Sequence, residues 1–257
     1  MTNTYDTFGT TIPELPRGFL VRDLIRFFIV DIIIGFCLKI LLWLNFFPTP
    51  GTYVLAILGS KLVLFAYLVW LIRDRRDSWP ETGATSAGPW WAWPASLALY
   101  AACYPVLLWF GKLNVSLLSA VYGWLGWGEY APEAQDVMML LFSDVVGVPV
   151  RAALVFFTIL AGPFMEELAF RGVGLDAYRR SRGLIWAWVW TSLLFGLYHF
   201  SLTLLLPLSL LGALFFAVRI LSKSLWCAVF IHCLHNALTL AIQAHNVGWL
   251  KLPWLGE

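Results

Sequence analysis

The stretch Gly162-Pro163-Phe164-Met165-Glu166-Glu167-Leu168-Ala169-Phe170-Arg171-Gly172 sets two adjacent carboxylates and a guanidinium between long apolar runs. Ionisable side chains in such surroundings are costly and are functional candidates by default. Glu167 and Arg171 are four apart, so on a helix they share a face and can pair. Glu166 points about 100° away on a helix of 3.6 residues per turn and has no cation nearby in sequence. One carboxylate is therefore held by its neighbour, and the other is free for chemistry. The bland account of the same residues is a structural ion pair beside a water-exposed Glu.

More polar residues recur downstream. Phe195-Gly196-Leu197-Tyr198-His199 places a His near the end of one apolar run. Ile231-His232-Cys233-Leu234-His235-Asn236 puts His232 and Asn236 one helical turn apart on one face, with His235 at the edge of that face. A lone His on an apolar helix is more often packing than catalysis, and an Asn there often holds helices together. Here the Glu pair, Arg171, His199 and the His232/Asn236 pair fall within three of the last four apolar runs. The first three runs hold only Asp31, Lys39 and Lys61 at depth, and this asymmetry favours a site.

A Glu and a His facing each other across a wet cavity can activate a water. A His and an Asn one turn apart can donate hydrogen bonds to an oxyanion as it forms. Together these are the parts of peptide hydrolysis without a covalent intermediate. The same set could instead hold a metal, because Glu166, His199 and His232 make the two-His, one-Glu set of catalytic zinc sites. The sequence has no HExxH, so the zincin helix is absent. Ser201 and the cysteines have no base at an obvious spacing, which makes nucleophilic catalysis the weaker reading. Water activation by Glu166 and a zinc site both stay open.

The elements that must position these groups read as membrane helices. The chain has 257 residues, 60% hydrophobic and only 12% charged, against about 25% charged in soluble domains. A net charge of +2 gives no case for nucleic acid. Cys37, Cys103, Cys227 and Cys233 all sit in apolar runs without CxxC spacing, so neither a zinc knuckle nor a disulfide framework is expected. The first twenty residues are polar, contain Pro13 and Pro16, and do not read as a signal peptide.

Apolar runs at 24–47, 52–72 and 90–111 are each long enough to span a bilayer. Asp31 and Lys39 share a face of the first and are expected to turn toward the bundle; Lys61 lies in the second. Residues 47–51 form a turn, and Arg73-Asp74-Arg75-Arg76-Asp77 a charged loop. Residues 112–136, with Trp124, Trp127, Glu129 and Glu133, read as an interfacial loop. A fourth element over 137–181 is interrupted by Gly147, Pro149, Gly162 and Pro163. Three more follow at 184–202, 204–221 and 224–243, then a short tail with Trp249 and Trp254.

Pro163 is expected to begin a helix, with Glu166 and Glu167 in its first turn. Glu166 and His199 lie equally far from Arg182-Gly183, a good turn, so an antiparallel hairpin sets them at matching depth. Counting from Ser224, His232 falls shallower than His199 by roughly 10 Å at 1.5 Å per residue. Either 172–182 bends along the surface, or the last helix begins deeper.

Lys and Arg set the orientation. With a cytoplasmic N-terminus, Arg17, Arg22, Arg26, Arg73, Arg75, Arg76, Arg179, Arg180, Arg182, Arg219 and Lys223 lie inside, and only Lys112, Arg151 and Lys251 outside. The expectation is an all-α polytopic bundle of about seven spans in the inner (plasma) membrane of a prokaryote. It forms a single domain, 1–257, with N-terminal spans and loop over 24–136 and the site within 137–243.

Glu166-Glu167-x-x-x-Arg171, Phe195-x-x-x-His199 and His232-x-x-x-Asn236, in that order, resemble the three signatures of the CAAX-protease and bacteriocin-processing family. It is also called the Abi or type II CAAX prenyl endopeptidase-like family. The resemblance covers about 137–243. It implies an intramembrane endopeptidase in which Glu166 is the water-activating base and His199 assists. Glu167 and Arg171 would hold the site's architecture, and His232 and Asn236 would form the oxyanion pocket. His235 has no role in that pattern and reads as packing or support. The family is described both as metal-dependent and as glutamate-dependent, so zinc stays an open cofactor. The implied partners are a peptide or protein substrate, membrane-associated or not, and the lipid bilayer. Two other classes are a non-catalytic scaffold or bacteriocin-immunity protein of the same fold and a proton-coupled transporter. No inverted repeat is evident, which weakens the transporter reading.

Overall fold

A computed structural model describes residues 19–74, 79–132 and 140–251. Among them the regular structure is helical, without strands. In chain order the helices are α1 (Val21–Trp43), α2 (Pro50–Asp74), the short α3 (Trp79–Thr82), α4 (Ala92–Leu125), α5 (Val148–Arg182), α6 (Leu184–Tyr198), α7 (Leu205–Ser222) and α8 (Leu225–Asn246). By length and composition α2, α4, α5, α7 and α8 can each cross a membrane. Helix α6 is apolar but shorter, and α1 is apolar apart from Arg22, Asp23, Arg26, Asp31 and Lys39. The expected polytopic helical bundle is therefore present. Arg17, Arg75, Arg76, Asp77, Glu133 and Trp254, named above, lie outside the described residues.

The long helices run alternately between two ends of the bundle. At one end the Phe19 N–H donates to Asp176 (3.1 Å), the Leu225 N–H to the Gly83 carbonyl (3.1 Å), and Arg219 Nε to the Thr82 carbonyl (3.3 Å). At the other, Asn114 Nδ2 donates to the carbonyls of Leu202 and Thr203 (2.7 Å each), and the Arg151 guanidinium lies 4.5 Å from the Trp249 ring. The main core is shared by α1, α2, α4, α5, α6, α7 and α8, with Leu64, Leu68, Leu168, Phe170, Phe195, Phe215 and Ile231 fully buried.

Three expectations are corrected. The stretch read as an interfacial loop over 112–136 is helical as far as Leu125. Residues 112–125 contain no Pro, and α4 stops only where Gly126 takes a left-handed conformation (φ 70°) that Gly adopts without a steric cost. Of Asp31 and Lys39, only Asp31 turns inward; Lys39 stays exposed. Nor does Pro163 begin a helix.

Helix α5 starts at Val148, with Gly147 as its N-cap and Pro149 in its first turn, and runs on through Gly162 and Pro163. It accommodates them by widening into π-helical turns at Phe157–Ala161 and Leu168–Gly174, on either side of an α-helical segment, Gly162–Glu167. The Gly162 N–H reaches back five residues to the Phe157 carbonyl. In that register the Thr158 carbonyl would await the N–H of residue 163, which proline lacks. Asn236 Nδ2 from α8 supplies the missing donor at 2.8 Å. Wide turns of this kind recur at functional sites.

Candidate active site

Glu166 and Glu167 leave the α-helical segment between the two wide turns in different directions. Glu167 is fully buried, and its Oε1 takes Arg171 Nη1 at 3.0 Å and faces His232 Nδ1 at 3.0 Å. Arg171 is also fully buried and donates through Nη2 to the Gly212 carbonyl at 2.7 Å. Its guanidinium lies over Phe195 (4.5 Å), Phe215 (5.3 Å) and Phe170 (5.5 Å). Such stacking suits a planar, weakly hydrated cation. Gly212 has to be small, since a Cβ there would lie 2.9 Å from Arg171 Nη2 and 3.2 Å from the Phe195 Cβ. The expected Glu167–Arg171 pair therefore exists, within an aromatic box shared by α5, α6 and α7.

Glu166 is a quarter exposed and faces a cavity. Its Oε2 lies 4.0 Å from His199 Nε2 and 3.8 Å from His232 Nε2. Those separations exceed a hydrogen bond, and they match what one bridging water can span. The Oε2 atom has no hydrogen-bond partner among the described residues.

Each imidazole is held at its other nitrogen. His199 Nδ1 lies 2.8 Å from the Phe195 carbonyl and donates to it, which turns Nε2 toward Glu166. His232 Nδ1 donates to the Glu167 carboxylate, which turns its Nε2 to Glu166 as well. The His232 ring stacks on Phe215 at 4.6 Å, and Phe195 meets both imidazoles edge-on.

The structure thus brings together Glu166, His199 and His232, and places Glu167 and Arg171 behind them. The expected depth mismatch of His232 is wrong. Of the two alternatives, the last helix begins deeper in the molecule. Ser224, its N-cap, is fully buried and donates to the Ser86 carbonyl at 2.7 Å, while the start of α6 at Leu184 and Ile185 is exposed. The segment before α4 covers the start of α8 and moves its register inward.

Asn236 is one turn beyond His232 and lines the same cavity, of about 460 Å³, with Glu166, His199 and His235. One of its two amide N–H groups is committed to Thr158. His235 Nδ1 lies 3.0 Å from the Tyr100 hydroxyl, in line with packing and support. A second cavity, of about 370 Å³ and mostly apolar, meets Glu166 and His199 from the other side, toward α1. Lys61 lines both cavities. Reading the sequence missed Tyr198, whose hydroxyl is bonded to Asp31 and to Lys61 (3.2 Å) beside the site. Asp31 and Lys61 were visible as charges within apolar runs, but nothing in the sequence signalled that they meet.

Zinc would suit these donors in kind but not in spacing. Ligands around a tetrahedral zinc, at bonds of about 2.0–2.1 Å, lie about 3.3–3.4 Å apart. The Glu166 contacts are wider than that, and among the described residues no three His, Cys, Asp or Glu side chains form a metal-holding group. The chemistry proposed below therefore uses the side chains alone.

Residues 149–238 match the family model described as type II CAAX prenyl endopeptidase Rce1-like. That segment contains all three motifs and runs from the start of α5 into α8, so the resemblance to the CAAX-protease and bacteriocin-processing family is supported over the part of the chain that builds the site. One curated relative is the protein named "Putative membrane peptidase YdiL" of Bacillus subtilis (strain 168). It is 27% identical over 88 residues, which are 34% of this chain and 36% of the relative. The chain thus aligns with about a third of that protein. No solved structure matches the chain. The apolar helices support an integral membrane protein. Its 149–238 segment is similar to a CAAX prenyl endopeptidase model, and 88 of its residues to a protein named a membrane peptidase.

Proposed function

We propose that this protein is an intramembrane endopeptidase that hydrolyses a peptide bond with water activated by Glu166. The observation that carries the proposal is one carboxylate oxygen, free of other partners, set between two imidazole Nε2 atoms at 3.8 and 4.0 Å. A water in that gap can donate one proton to Glu166 and the other to His199 Nε2. Glu166 takes the first proton as the water oxygen attacks the carbonyl carbon. It returns that proton to the leaving nitrogen as the peptide bond breaks.

The oxyanion falls to His232 and to the second N–H of Asn236. His232 can donate to it only when Nε2 also carries a proton. The Glu167 carboxylate on Nδ1 fixes the ring so that this Nε2 faces the cavity. In this role Glu167 positions His232 as well as pairing with Arg171. The substrate class is a membrane-associated peptide or protein, and the N-terminus of α1 faces the cytoplasm.

Glu166→Gln keeps the shape and removes the base, and general-base loss costs about 10²–10⁴-fold in rate. The test is cleavage of a peptide library by purified protein, wild type against this variant, with melting temperatures in parallel. Near-full activity in a folded Glu166→Gln protein would falsify the assignment. The same assay on chelator-treated protein, alongside elemental analysis, decides the cofactor. Activity is expected to persist in metal-free protein, and loss with zinc removal and recovery on its return would make zinc the water activator instead.

A further inference from the structure

His199 occupies an unsupported place. Helix α6 ends at Tyr198, and His199 is its C-cap, with its N–H reaching only the Gly196 carbonyl at 3.3 Å. Phe200 follows at φ 50°, a left-handed conformation that a bulky residue adopts at a cost of about 1–2 kcal/mol. The bond from His199 Nδ1 to the Phe195 carbonyl fixes the ring against its own helix only. Its distance from Glu166 on α5 depends on where the end of α6 lies.

The neighbouring side chain determines that. The Tyr198 hydroxyl donates to Asp31 on α1 and accepts from Lys61 Nζ on α2 at 3.2 Å. Lys61 Nζ in turn holds both Asp31 oxygens, at 2.7 and 2.8 Å. The Tyr198 ring packs on Phe28 (5.2 Å) and Phe170 (5.8 Å). A charge pair among apolar helices adds little net stability, because its desolvation cost offsets the attraction. Its use is specificity of position. We propose that the Asp31–Lys61–Tyr198 cluster is a positioning device that sets His199 against Glu166. Two of its three members come from helices outside the segment that matches the family. The role rests on the peptidase reading for its consequence in rate, but not for the placement of the ring.

The test uses purified full-length protein and two variants, Tyr198→Phe and the charge-free double variant Asp31→Asn/Lys61→Met. Should the double variant fail to fold, Tyr198→Phe, which loses one hydroxyl, carries the test. Modification of His199 by diethyl pyrocarbonate, read by mass spectrometry against His245 in the same sample, is expected to rise severalfold in both. Unchanged His199 reactivity in a folded variant overturns the proposal whether or not the protein is a peptidase. In the cleavage assay Tyr198→Phe is expected to lower kcat about tenfold or more, the scale of a misplaced catalytic group, with KM unchanged. In a His199→Gln background the same change is expected to cost nothing further. An equal loss in both backgrounds would show that Tyr198 does not act through His199. Absence of cleavage by wild type removes the peptidase reading and leaves the modification assay to decide.

Discussion

At the scale of single residues, the two adjacent glutamates divide the work because successive side chains on a helix point about 100° apart. Glu166 opens onto a cavity, and Glu167 is fully enclosed with Arg171 and His232. Removing one member of such a buried group leaves the rest uncompensated, at a cost of about 3–5 kcal/mol. Glu167→Gln and Arg171→Met are both expected to lower the melting temperature in detergent. They should differ in turnover per folded molecule. Glu167→Gln also weakens the acceptor on His232 Nδ1 and should lose much more activity than Arg171→Met. Equal activity loss in two variants as stable as wild type would remove the structural role. The pairing of Glu167 with Arg171 was legible from their spacing alone. The bond from Glu167 to His232 was not, because it joins residues on helices whose relative depth no local pattern records.

At the scale of elements, the lesson concerns proline and glycine. Gly162 and Pro163 read as a helix start because proline removes a donor and is tolerated best in a first turn. The chain instead keeps one long helix and meets the deficit from a neighbour, with Asn236 donating to the Thr158 carbonyl. Asn236→Ala is expected to cost about 1–3 kcal/mol, the scale of an orphaned buried carbonyl. Pro163→Ala restores a backbone N–H near that carbonyl, so the Asn236 change should cost less in its presence. Thermal unfolding of the two single variants and the double variant measures the coupling. Strict additivity would mean that Asn236 does not compensate for the proline. Helix spans were readable from apolar length. The extra reach of α4 and the inward start of α8 were not, since both depend on which other segment covers the helix end.

At the scale of the molecule, the alternation of helix direction collects Arg22, Arg26, Arg73, Arg179, Arg180, Arg182, Arg219 and Lys223 toward one end. Lys112, Arg151 and Lys251 lie toward the other. On the positive-inside rule the first end is expected to be cytoplasmic. A cysteine introduced at Arg182, in a background lacking the native cysteines, is expected to react with a membrane-impermeant maleimide only from the cytoplasmic side. One introduced at Glu129 is expected to react only from the opposite side. The reverse pattern would invert the orientation. Both positions are at turns flanked by left-handed glycines, Gly183 and Gly128, so a cysteine there disturbs little packing.

The deep, capped start of α8 has a consequence for biosynthesis. Ser224 and Trp226 bind the carbonyls of Ser86 and Ala84, chain that leaves the ribosome far earlier. Glu166 and His199 lie on α5 and at the end of α6, whereas His232 and Asn236 are carried by α8. A nascent chain therefore carries a carboxylate and one imidazole without the pair that would face the oxyanion. The proposed hydrolytic centre is therefore complete only once the start of α8 is seated on the segment before α4.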